Sequence, residues 1–124
     1  MANDETIGSP LQAEPVLAVK DVTETVMYWH NMLGFTDKWT WGEPPTYAGV
    51  FWNGASIQFS QNPKLASMSK GNSILVRVKN LESLYQFHKE KNIEIVEALE
   101  NKPWGGASYT VREINGYYII FGGA

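Results

Sequence analysis

Pro15-Val16-Leu17-Ala18-Val19-Lys20-Asp21 is the stretch on which the fold of this chain turns. Its apolar run, Pro15 to Val19, has no polar alternation and reads as a short strand buried on both faces. Asp21 follows, with Glu24 three residues later. This marks a helix start, because the Asp carboxylate can accept amide N–H groups that have no helical partner. Val22, Val26, Trp29 and Leu33 recur at helical spacing and form one packing face. Gly34 stops the helix, since a left-handed turn costs glycine little.

Phe35 to Trp41 and Tyr47 to Trp52 are rich in aromatic and β-branched residues and read as strands, separated by the break Gly42-Glu43-Pro44-Pro45. Asn53-Gly54 signals a tight hairpin. Ser56-Ile57-Gln58-Phe59-Ser60 then alternates strictly, with Ile57 and Phe59 toward a core and Gln58 away from it. After a polar linker, residues 62–72, the plan returns. Ser73 to Val78 reads as a strand and Asn80 as a helix cap. Leu81, Leu84, Tyr85 and His88 form a stripe, with Asn92 as a left-handed stop. Ile93 to Ala98, Ala107 to Glu113 and Tyr117 to Phe121 read as strands, the last pair joined through Asn115-Gly116. Val19-Lys20-Asp21 aligns with Val78-Lys79-Asn80, Tyr28 with Phe87, and Asn53-Gly54 with Asn115-Gly116. The expected fold is α+β: two tandem βαβββ modules, residues 14–61 and 73–122, forming curled mixed sheets around a ligand groove. One helix covers one face of its sheet; the other face is left for a groove.

Composition narrows the function. The chain has 124 residues, 44% hydrophobic and 19% charged, which suits one globular domain, residues 14–124. Residues 1–13 read as a flexible polar leader without the basic and apolar regions of a signal peptide. Cysteine is absent, which excludes disulfides, thiolate metal sites and thiol nucleophiles. A cytoplasmic location is the default expectation. The net charge of −3 and the lack of a Lys/Arg cluster argue against nucleic acid as a partner. No apolar run has membrane-spanning length, so no membrane partner is expected. Five Trp, six Tyr and five Phe are more large rings than a small core needs.

The order of Pro15 to Asp21, Tyr28-Trp29, Leu33-Gly34-Phe35, Pro103-Trp104-Gly105 and Tyr109 to Phe121 resembles the vicinal oxygen chelate superfamily of glyoxalases, bleomycin resistance proteins and dioxygenases. Pro44 to Ala48 and the Pro-Trp-Gly loop look most like the bleomycin-resistance branch. The resemblance implies paired βαβββ modules, a homodimer and clefts walled by the sheets. It also implies where a divalent metal would be held in the enzymes: at Glu14, Gln58, Ser73 and Ile120. Glu14 could ligate and Gln58 weakly; Ser73 is a poor ligand and Ile120 is none. His30 and His88 lie on helices, outside the groove, and are read as surface or half-buried residues. No metal and no cofactor are therefore expected.

Without a metal, the aromatic residues carry the reading. Trp29 and Phe59 belong by periodicity to the helix–sheet core. Trp39 and Trp41 share a strand face, Tyr47 follows the Pro-Pro break, Trp52 ends a strand and Trp104 sits in a Pro/Gly loop. Groove wall, dimer interface and core filling all remain open for Trp39, Trp41 and Trp104. Glu14 and Glu43 could add a carboxylate, unless Glu14 is simply solvated. The expected ligand-binding set is Glu14, Trp39, Trp41, Tyr47, Trp52, Gln58, Trp104 and Tyr118, with no catalytic residue. Flat rings stack on flat ligands and attract cations. The reading is thus a metal-free homodimer sequestering a small aromatic ligand that could carry positive charge. Two alternatives stand beside it: a metal-dependent lyase, isomerase or dioxygenase of the same superfamily, and a protein-interaction module.

Overall fold

A computed structural model of the protein describes residues 7–124. Strand β1 (Val16–Val19), helix α1 (Val22–Asn31) and strands β2 (Asp37–Trp41), β3 (Tyr47–Trp52) and β4 (Ala55–Gln61) form the first module. Helix α2 (Pro63–Met68) connects it to β5 (Ser73–Val78), α3 (Leu81–Glu90), β6 (Ile95–Asn101), β7 (Ala107–Arg112) and β8 (Tyr118–Gly123). The two sheets have the same plan, β1-β4-β3-β2 and β5-β8-β7-β6. In each, the first strand runs parallel to the last and the other pairs are antiparallel.

The expected stripe of α1 is buried: Val22, Val26, Trp29 and Leu33. The Asp21 side chain accepts from the Glu24 amide, as the capping signature requires. The indole of Trp29 packs against Phe35 and Phe59, with ring centroids 5.2 and 5.3 Å apart. The modules meet through buried polar contacts. Trp29 Nε1 donates to Glu113 at 3.0 Å, Tyr117 Oη donates to the Ala18 carbonyl at 2.6 Å, and His88 Nε2 donates to the Leu33 carbonyl at 2.9 Å. One hydrophobic cluster runs through both modules.

Several expectations need correction. Residues 62–72 are not simply a linker: Asn62 caps α2 by accepting from the Leu65 amide, and Pro63 takes the first turn, where its missing N–H costs nothing. Asn80 precedes α3 but adopts φ 56° and makes no side-chain cap bond. Strand β1 is not buried on both faces, because Val16 at the sheet edge is 54% exposed. His88 is fully buried rather than superficial, because both ring nitrogens find partners, Tyr109 and Leu33. Both expected hairpins are present, joining β3 to β4 and β7 to β8, and their turns differ only in detail. Asn53 takes the left-handed conformation in the first (φ 54°) and Gly116 in the second (φ 89°). Of the expected leader, residues 1–6 lie outside the described residues, while 7–13 are exposed and carry no helix or strand.

Candidate functional site

Strand pairing decides which side chains share a face. On the first sheet, Trp39 pairs with Gly49 and Gly49 with Gln58; Trp41 pairs with Tyr47. These residues stand on the face away from α1, since the alternate residues Ala48, Val50, Ile57 and Phe59 are buried in the core. Trp41 is 69% exposed and Trp39 38%. The rings of Trp39 and Tyr47 lie 5.9 Å apart at 35°.

A polar chain runs along one side of these rings. Tyr47 Oη donates to Gln58 Oε1 at 2.6 Å, and Gln58 Nε2 donates to Glu14 at 2.9 Å. The two bonds set the orientation of the Gln58 amide. Ser56 and Gln12 also donate to Glu14, each at 2.9 Å. Donation from Gln58, then Gln12 and Ser56, holds the Glu14 carboxyl below its ordinary pKa. Glu14 thus presents an exposed carboxylate beside a ring wall.

Five expected residues therefore come together: Glu14, Trp39, Trp41, Tyr47 and Gln58. Trp52 does not join them. It points to the helix side, edge-on to Phe35 at 5.8 Å, and lines a cavity of about 1080 Å³ between the modules. Tyr118 stands on the open face of the second sheet, where Arg112 donates to its hydroxyl at 2.8 Å and lies 5.1 Å over its ring. Trp104, 82% exposed, projects from the turn between β6 and β7. Glu43 is exposed in the turn before β3.

Two residues escaped the reading of the sequence. Arg112 pairs with Glu94 at 2.6 Å and frames the second open face. Its signal was available in the alternation Ser108-Thr110-Arg112. Gly49 lies beneath the Trp39 indole; a glycine inside an aromatic strand is the cue for such close approach.

The four positions implied for a metal do not fit one. Within the chain Glu14 and Gln58 are bonded to one another, and Ser73 and Ile120 stand on the second sheet. Ile120 offers no donor atom. Among the described residues, no three His, Cys, Asp or Glu side chains cluster as metal ligands.

The sequence profile of the Glyoxalase/Bleomycin resistance protein/Dioxygenase superfamily matches residues 11–121. The chain belongs to that superfamily. Solved structures share this superfamily fold. The TioX protein of Micromonospora sp. ML1 superposes with a TM-score of 0.78 at 19% identity, covering 91% of this chain and 98% of that one. The bleomycin-binding protein of bleomycin-producing Streptomyces verticillus, complexed with copper(II)-bleomycin, gives 0.78 at 21%, covering 94% and 98%. A bleomycin resistance determinant encoded on transposon Tn5 gives 0.77 at 20%, covering 92% and 98%. No curated protein sequence matches this superfamily member. No helix among its described residues is long and apolar enough to cross a membrane.

Proposed function

We propose that the protein binds and sequesters a small aromatic molecule, without altering it and without a metal. The ligand stacks on Trp39, Trp41 and Tyr47, and a cationic or donor group on it meets the Glu14 carboxylate held by Gln58. The observation that carries this reading is the juxtaposition of exposed rings with a charged carboxylate on one uncovered sheet face. The bleomycin-binding relatives favour the same class of activity.

The working unit is a homodimer in the cytoplasm. A single chain leaves the open faces of both sheets uncovered, with Trp41 and Leu75 among the exposed apolar side chains. A second copy would cover such faces and bring Tyr118 and Trp104 toward the ring wall. The cysteine-free composition suits a reducing compartment.

The test is a titration of Trp fluorescence with 9-aminoacridine, a planar cation, and with copper(II)-bleomycin, alongside sedimentation to fix the oligomeric state. Saturable quenching that disappears in Trp39→Ala/Trp41→Ala is expected. Linear, non-saturating quenching with both probes would overturn the reading.

A further inference from the structure

Gly49 sits at the middle of the ring wall, between Trp39 on β2 and Gln58 on β4. It is buried although the surrounding face is open. A Cβ at this position would lie 2.7 Å from Cε2, Cζ2 and Nε1 of Trp39. Side-chain carbons do not approach that closely, so the indole occupies the space that any other residue would fill. Because β3 lies between β2 and β4, an indole over Gly49 leans across the sheet toward Gln58 and its bond to Glu14.

We propose that Gly49 is a positioning residue that sets the specificity of this face. By lacking a side chain it lets Trp39 lie down across β3, so that the ring becomes a floor beside the Gln58–Glu14 pair. A larger residue at 49 lifts the indole into the space a ligand would use. The floor then favours planar ligands whose polar group projects sideways toward Glu14, over bulky three-dimensional ones. The specificity part rests on the binding function proposed above; the positioning part does not.

The experiment has two arms. In the first, without ligand, the nuclear Overhauser spectrum of the whole protein is expected to connect the Trp39 Hε1 and Hζ2 protons with Gly49 Hα. Gly49→Ala is expected to lower Tm in the wild-type background and to leave it unchanged in a Trp39→Ala background. No Overhauser contact, or the same loss of Tm in both backgrounds, overturns the positioning role. In the second arm, Gly49→Ala is expected to weaken 9-aminoacridine binding by about tenfold, the scale of a modest overpacking cost. Unchanged affinity overturns the specificity claim. If the wild-type protein binds no planar cation, the proposed function and the specificity claim both fall, while the first arm still decides whether Gly49 positions Trp39.

Discussion

The two modules share one backbone plan and differ in what their open sheets hold up. The first presents rings: Trp39, Trp41, Tyr47 and the 40% exposed Phe51. The second presents charge: Arg77 on β5, Arg112 paired with Glu94, and Glu97 accepting from Thr110. On their helix sides the modules are alike, with Trp29 and Phe59 in one and Tyr109 and Phe121 in the other, all buried. Burial against a helix restricts both copies to side chains of fitting shape whose polar atoms, as at His88 and Glu113, all find partners. A face left uncovered has no such restriction and can diverge, and the contrast between rings and charge lies on the side where binding is proposed.

The contrast can be broken hardest from the shared side. Trp29→Ala empties a fully buried site that also supplies a bond to Glu113, and should destabilise the protein by about 3–5 kcal/mol in urea unfolding. Glu113→Ala comes next. It strands the Trp29 indole and the backbone amides of Asn115 and Tyr117, at a cost of about 3 kcal/mol in the same measurement.

A smaller, pH-dependent effect belongs to His88. Burial lowers its pKa from the ordinary 6.5, against the raising influence of the Leu33 carbonyl. The rings packed against it are Tyr109, Phe87 and Phe121, and its nitrogens meet the Tyr109 hydroxyl and the Leu33 carbonyl; none of these is a carboxylate that would support the charged form. The folded state therefore holds fewer protons there than the unfolded chain. Its contribution is intact above pH 6.5 and declines as the pH falls through that value. Unfolding titrations between pH 8 and pH 5 should show this decline, and His88→Phe should flatten it.

The open face should respond in the opposite sense, with little effect on stability and more on binding. Trp41→Ala is expected to change stability by no more than about 0.5 kcal/mol while weakening 9-aminoacridine binding about fivefold. Arg112→Met on the charged face should leave stability equally unmoved, because an exposed ion pair contributes little. A large stability loss in either variant would remove the distinction between the buried and open sides.

Much of this was legible in advance. The duplicated order of strands and helices follows from period and turn residues, and the alternation around Gln58 by itself assigns it to the open face. Where the reading failed, either the local backbone or a longer-range contact decided. Asn80 looks like a side-chain cap in sequence, but its backbone takes the left-handed region and only its carbonyl accepts from the helix. The buried His88 could not be told from a superficial helix residue, since its partners Leu33 and Tyr109 are remote in the chain. Trp52 does not belong with the groove rings: it stands five residues after Tyr47 on β3, and alternation along the strand turns it to the opposite face, toward Phe35 and the helix side.

Local chemistry in the chain was sufficient for the module plan, the hairpins and the alternation of faces along the strands, because periodicity and backbone preference act over a few neighbours. Packing alone decided that Trp39 lies over Gly49, that Gln58 bridges Tyr47 and Glu14, and that Glu113 ties the second module to Trp29. Those outcomes depend on distances between segments far apart in sequence, which are set only when two sheets and two helices compete for the same interior space.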